Sequence, residues 1–302
     1  MIPELHPTSA VVQPNFITEA QFTLSEIQLD IFVFVLAQMT SDDPPGMVYN
    51  VFYEHIEKIA DRQIKRKNAR IKAFEMIGKK LRFKNPRTGR MVYAPMFASV
   101  EPFEGGIQVE LSTKLQEHLA YIKSRFTSYQ LYAALSMSSK YAKRVYMLCS
   151  QWKENETTRA YEIDDLREML GLEDKLIAWG VFKRDVLEKA VQQINEYSEL
   201  QVKYKAEKAG RSYKWVQFFV KKGNPHQRTI DFSNTEYSKA LERINKMATL
   251  REYKLRDDQI ETILTHRHWK DVVAVLHKVE ARKKEGKVQN LGAYVAKSLE
   301  IF

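Results

Sequence analysis

The sequence is poor in cysteine and in long apolar runs and, over one stretch, in acids. Cys149 is its only cysteine, which excludes an intrachain disulfide and a cysteine-built zinc site, and its place on an apolar stripe reads as a small buried hydrophobe. No apolar run reaches the ~20 residues of a membrane span. The opening "MIPELHPTSAVVQP" also lacks the basic start and apolar centre of a signal peptide. A cytoplasmic protein with no membrane association is expected. No phosphate-binding loop is present, because "GRSYKW" lacks the required glycines and lysine context, so nucleotide hydrolysis is not expected. In "THRHW", His266 and His268 flank Arg267 without a carboxylate cluster, too few ligands in an unsuitable geometry for a metal. Catalytic residues, metals and cofactors are all expected to be absent.

Positive charge is abundant and unevenly spread. The net charge is +10 and the pI near 9.4, which favours an anionic partner, either nucleic acid or an acidic membrane surface. Residues 1–60 hold one cation, Lys58, against eight acids, whereas residues 62–90 hold twelve Lys and Arg against Glu75 alone. The positive field is therefore a patch.

Periodicity divides the chain into repeated parts. Up to Phe22 the sequence contains prolines and has weak periodicity, and it is expected to be a loosely ordered segment, 1–22. "TLSEIQLDIFVFVLAQM" predicts a buried helix capped by Ser25 or Thr23, and "VFYEHIEKIADR" a second, short one. "KNARIKAFEMIGKKL" predicts a third, with Ala73, Phe74, Ile77 and Leu81 on its core stripe and Asn68, Lys72, Glu75 and Lys79 outward. Strands "LRFK", "MVYAPMFASV" and "IQVEL" follow, then a helix around 112–123. The same order then recurs: helices in "SYQLYAALSM", "SKYAKRVYMLCSQWK" and "EIDDLREMLG", a longer helix from about Trp179 to Tyr197, and strands "LQVKYK" and "YKWVQFFVKK". Each hairpin carries a glycine and an arginine at its turn, Gly89-Arg90 and Gly210-Arg211. Helix-turn-helix followed by a basic-tipped hairpin is the order of a winged helix. The expected class is α+β: winged-helix domains at 23–125 and 126–223, then a helical extension at 224–302. Helices are expected there near 234–250, 257–265, 269–284 and 291–300, with nearly balanced charge, which suits protein contacts better than a DNA groove.

In a helix-turn-helix the second helix enters the major groove. With Phe182, Val186, Leu187, Ala190, Val191 and Ile194 as its core stripe, the helix around 179–197 turns Arg184, Asp185, Glu188, Lys189 and Gln192 outward. Arginine can grip guanine, glutamine can pair with adenine and a carboxylate can accept from cytosine, although such residues also suit a solvated face with i,i+4 pairs. Arg211 and Lys214 lie on its hairpin. In the first unit Asn68, Lys72 and Lys79, flanked by Arg62, Lys65 and Lys67, with Arg87 and Arg90 on the hairpin, favour backbone contacts, while Arg66 and Arg70 point toward the apolar side. In "SKYAKRVYMLCSQWK", Tyr141, Val145, Leu148, Cys149 and Trp152 form one stripe. Lys140, Lys143, Arg144 and Met147 fall opposite it, a solvated face or a phosphate site at a helix start.

The blocks "FTSYQLYAALSMSSKYAKRVYMLCSQWK", "IDDLREMLGL" and "WGVFKRDVLEKAVQQINEYSELQVKYKAEKAGRSYKWVQFFV" resemble the replication initiator (Rep) proteins of iteron-containing bacterial plasmids, over roughly residues 24–222. The resemblance implies a non-enzymatic initiator that binds repeated origin sequences in double-stranded DNA, helps to open the origin and recruits the host initiator ATPase and replicative helicase. It implies that the second domain reads bases and the first supplies DNA contacts and a dimer interface. Monomers would start replication on direct repeats, and a homodimer in equilibrium with them would repress the protein's own promoter at an inverted repeat. By position it places Lys183 and Arg184 on the reading helix and Lys140 and Arg144 in a phosphate-contacting helix. Two alternatives stand beside it: a dedicated winged-helix repressor, which uses the same domains but has no need of the helical tail, and a metal-dependent strand-nicking initiator, which needs a tyrosine beside metal-bound histidines.

Overall fold

The computed structural model describes residues 9–40, 43–86, 88–120, 126–172, 175–176, 178–223, 250, 253–284 and 290–301. One compact unit spans Leu5–Arg228 and another takes in the residues from Thr229 onward. The first unit opens with β1 (Ala10–Pro14), α1 (Asn15–Thr18) and β2 (Gln21–Phe22), followed by α2 (Glu26–Gln38). The Ser25 backbone N–H donates to Gln28 Oε1 at 2.9 Å, which anchors the start of α2. From Ile27 to Leu36 every α2 side chain is buried, the polar Gln28 and Asp30 included.

β3 (Val48–Phe52) runs directly into α3 (Tyr53–Ala60), and α4 (Arg66–Phe74) completes the first helix-turn-helix. The strands β4 (Lys80–Lys84) and β5 (Met91–Pro95) form its hairpin. A further hairpin, β6 (Phe97–Phe103) and β7 (Gly106–Leu111), pairs through β7 with β3, and α5 (Thr113–Ala120) follows. "MVYAPMFASV" is therefore two strands in two sheets, divided at Met96, whose backbone bonds to Lys79 O and from Ser112 N.

The second half repeats the order: β8 (Phe126–Gln130), α6 (Leu131–Ser136), α7 (Lys140–Gln151), β9 (Tyr161–Glu162) and α8 (Ile163–Met169). The long helix comes next as α9 (Trp179–Phe182), a π-helical turn (Lys183–Glu188) and α10 (Lys189–Tyr197). β10 (Leu200–Ala209) and β11 (Ser212–Lys222) form a long antiparallel hairpin, completed by β9. The α+β class with two tandem winged-helix units is what the periodicity predicts.

Two expectations about the order and setting of elements fail here, with others at α4 described below. Residues 10–22 are not loose, because β1 pairs with β8 along its whole length from Ala10↔Gln130 to Pro14↔Phe126. Buried polar side chains reinforce that pairing: Gln13 Nε2 donates to Thr18 Oγ1 at 2.8 Å, Thr18 to Thr127 at 2.8 Å, and Thr127 to Asn15 Oδ1 at 2.9 Å. Nor is α7 two-faced, since every residue from Ala142 to Ser150 is buried. It is an inner helix, in contact with α10, β8 and α1.

Gly171, just after α8, has φ +65°. A Cβ there would lie 2.2 Å from Thr23 Oγ1 and 3.3 Å from Phe22 O. We expect Gly171→Ala to destabilise this unit by about 2 kcal/mol in denaturant titration, roughly half of it from the left-handed backbone. Combined with Thr23→Ala, the clash is relieved and only the backbone part should remain. Equal losses in both backgrounds would rule out the clash.

The C-terminal unit contains α11 (Asp257–His266), α12 (Trp269–Lys284) and α13 (Leu291–Ser298). Leu250, Leu255, Ile260, Ile263, Val272, Leu276, Val279, Val295, Leu299 and Ile301 form its own core, so its apolar stripes close on one another. The helix expected near 234–250 lies outside the described residues except for Leu250. Among the described residues, no helix is long and apolar enough to cross a membrane.

Candidate nucleic-acid interface

The π-helical turn shapes the outward face of the long helix. A π turn accommodates one extra residue, so Val186 and Leu187 both reach the core between Phe182 and Ala190, while Lys183, Arg184, Glu188, Lys189 and Gln192 are all exposed. Arg184 donates from Nε and Nη2 to the Asp185 carboxylate at 2.7 and 2.8 Å, and Lys183 lies 3.2 Å from Glu188. These hydrogen bonds raise the pKa of both cations and lower that of Asp185. The long helix thus exposes these side chains on one face, with the Arg184 guanidinium held on a neighbouring carboxylate.

The hairpin braces the start of this helix. Tyr213 of β11 stacks on Trp179 with centroids 4.3 Å apart, and Lys208 lies 4.9 Å over the Tyr213 ring. Arg211 is exposed at the tip, and Lys214 reaches Glu162 at 3.8 Å and the Trp215 ring at 5.1 Å. Lys203, Lys205 and Lys208 extend the basic edge along β10. Sequence reasoning passed over these three lysines and the Trp179–Tyr213 stack. Lys203 and Lys205 alternate along the strand and were legible, but Lys208 follows a shift of register after Glu207, and the stack joins residues that only the tertiary fold brings together.

Lys140 lies where the two winged units meet. It lines an open cleft of about 680 Å³ with Glu26, Ser138, Ser139, Lys175, Asp185 and Lys189. Burial, followed by repulsion from Lys175 and Lys79, lowers its pKa, a cost that a bound phosphate would relieve. Ser139 caps α7, accepting from Ala142 N at 3.3 Å, so the helix N-terminus faces the same cleft.

Lys143 and Arg144, expected beside Lys140 on DNA, point the other way. Lys143 is fully buried and donates to the Asp30 carboxylate, to Ala134 O at 2.8 Å and to Leu135 O at 3.3 Å. Arg62 also pairs with Asp30 and, at 2.9 Å, with Glu26. Burial pulls the Lys143 pKa down and pushes the Glu26 pKa up. Arg144 donates to Ala20 O at 2.6 Å and Met169 O at 3.3 Å, with its guanidinium 3.9 Å from the Phe22 ring centroid. Both cations bind the two halves of the unit together and have no surface to offer a phosphate.

In the first unit α4 is rotated from its expected setting. Ala69, Ala73 and Met76 face the core, whereas Phe74 and Ile77, expected inside, are exposed. Asn68 is exposed as expected, Lys72 is half-buried and pairs with Glu75 at 2.7 Å, and Lys79 is half-buried. Arg66 and Arg70 are exposed instead of facing the core, Arg66 pairing with Glu57 at 2.6 Å. Arg90 is exposed at the hairpin, while Arg87 lies outside the described residues.

A polar helix on the second helix-turn-helix, a basic hairpin braced against its start and a cationic cleft beside it define a tandem winged-helix DNA-binding protein. The chain matches the family model Initiator Replication protein, WH1, over residues 10–150, and its companion Initiator Rep protein, WH2, over residues 162–220. It belongs to this family of replication initiators. The first match runs beyond residue 125 and takes in α6 and α7, past the boundary expected from sequence. Over 114 residues the chain is 28% identical to the PI protein of Escherichia coli, an alignment covering 33% of this chain and 37% of that protein. Its fold resembles the crystal structure of Pi initiator protein in complex with iteron DNA, with a TM-score of 0.56 and 20% identity, covering 72% of this chain and 98% of that one.

Proposed function

We propose that this chain initiates plasmid replication by binding directly repeated origin sequences (iterons) as a monomer, without an enzymatic step or cofactor, in the cytoplasm. It helps to open the origin and brings in the host initiator ATPase and replicative helicase. As a homodimer it occupies an inverted repeat at its own promoter. The first winged unit, 23–125, supplies backbone contacts and the dimer interface, the second, 126–223, reads sequence, and 224–302 serves protein contacts. The observation that supports the reading is the joint surface of the π-turned helix and the braced hairpin, on which guanidinium, amide and ammonium groups, the kinds that read base edges in a major groove, are exposed together. Footprinting on DNA flanking the gene tests it: protection of regularly spaced direct repeats is expected, and an origin-dependent replication assay should require them. Protection of a lone inverted repeat, with no replication, would leave a repressor.

Lys140 supplies a separate expected result. Lys140→Gln should weaken binding to all duplexes alike and flatten the plot of log affinity against log salt by about one unit, as loss of one phosphate contact does. An altered sequence preference with an unchanged slope would place Lys140 on a base edge.

A further inference from the structure

The solvent face of α4 is apolar where the second helix of a helix-turn-helix usually carries polar side chains. Ile71 and Phe74 are 51% and 61% exposed, and Ile77, just past the helix, is 50% exposed. Lys67, Ile71 and Phe74 follow i, i+4, i+7 spacing and lie opposite the core residues Ala69 and Ala73. Around this ridge Lys65, Lys67, Arg70 and Lys80 are exposed, and Glu75 is the only acid between residues 62 and 90. Gln28 Nε2 donates to Lys72 O at 2.7 Å and holds α4 against α2, which the Asp30–Lys143 pair ties to α7. The ridge and the long helix of the second winged unit thus belong to one packed unit.

We propose that α4 reads thymine: Ile71 and Phe74 contact 5-methyl groups in the major groove while Lys65, Lys67 and Arg70 hold the flanking phosphates. The inference rests on the initiator reading above and deepens it, since it gives the first winged unit a share in sequence recognition as well as backbone contacts. The thymine methyl is the apolar group exposed in that groove, and a cation-ringed apolar ridge is complementary to it. The surrounding positive charge favours DNA over a neutral apolar protein surface.

The test uses the full chain and a duplex selected by it from a randomised library, then remade with deoxyuridine in place of thymine one position at a time. At one or two thymines, outside the base pairs whose preference Arg184→Ala abolishes, removing the methyl should weaken binding by about four-fold, the worth of one buried methyl. Ile71→Ala and Phe74→Ala, both at exposed positions, should bind the thymine duplex as weakly as the parent binds the uracil one and should no longer distinguish the two. Equal binding of both duplexes by the parent, or discrimination that survives both substitutions, overturns the proposal. Variants that change sedimentation without changing DNA affinity overturn it as well, and assign the ridge to a protein contact. A selection yielding no preferred sequence, so that Arg184→Ala has no specificity to lose, overturns the initiator reading and this inference with it.

Discussion

Replacing Lys143 with methionine should cost the Leu5–Arg228 unit about 3–5 kcal/mol of unfolding free energy, the range for breaking a buried ion pair by removing one partner. The Asp30 and Lys143 side chains are both fully buried, and the ammonium has a carboxylate and two carbonyl oxygens as acceptors. Without it, Asp30 keeps Arg62 alone, whose side chain is 25% exposed. Most of the loss should be recovered in the Asp30→Leu, Lys143→Met double variant, because no buried charge is then left unpaired. Urea titration of the two singles and the double measures this. A loss below about 1 kcal/mol for the single variant would show that water reaches the pair. Folded Lys143→Met should keep the salt dependence of DNA binding, which separates Lys143 from Lys140.

Arg184→Ala should weaken binding to the selected repeat by about ten- to a hundred-fold and to random DNA far less, as the loss of a bidentate base contact does. In the free protein that guanidinium is held by both oxygens of Asp185, so binding exchanges a carboxylate for a base edge or a phosphate. Asp185→Asn should therefore tighten binding to random DNA and narrow the margin between random and selected sequences. Competition titrations of both variants against the two DNAs decide this. Equal losses on both DNAs for Arg184→Ala would make it a backbone contact, and an unchanged margin for Asp185→Asn would show that the pair does not restrain it.

The long helix was legible because Phe182, Val186, Leu187, Ala190 and Ile194 repeat at nearly helical spacing and all reach the core. The π turn within it was not legible, since one added residue barely disturbs an apolar pattern that already holds two neighbours, Val186 and Leu187. Around α4 the expected core stripe holds at Ala73 and Leu81 and fails at Phe74 and Ile77. Two alanines let the helix approach α2 closely, and the larger Ile71, Phe74 and Ile77 were left outside. Residues 10–22 looked loose for a related reason: their order comes from β8 and from Thr127, more than a hundred residues along the chain.

By itself the sequence determined the local elements and the class. Apolar periodicity sets which segments become helices and which become strands, turn residues end them, and a cation-rich, acid-poor stretch favours an anionic partner. Tertiary structure alone decided which cations remain available to that partner. Lys140, Lys143 and Arg144 are near neighbours on one helix, yet Lys140 faces an open cleft while Lys143 meets Asp30 across 113 residues of chain and Arg144 caps carbonyls of two separate segments. A charge is kept in the interior only by partners that desolvate along with it, and those partners come from distant parts of the chain.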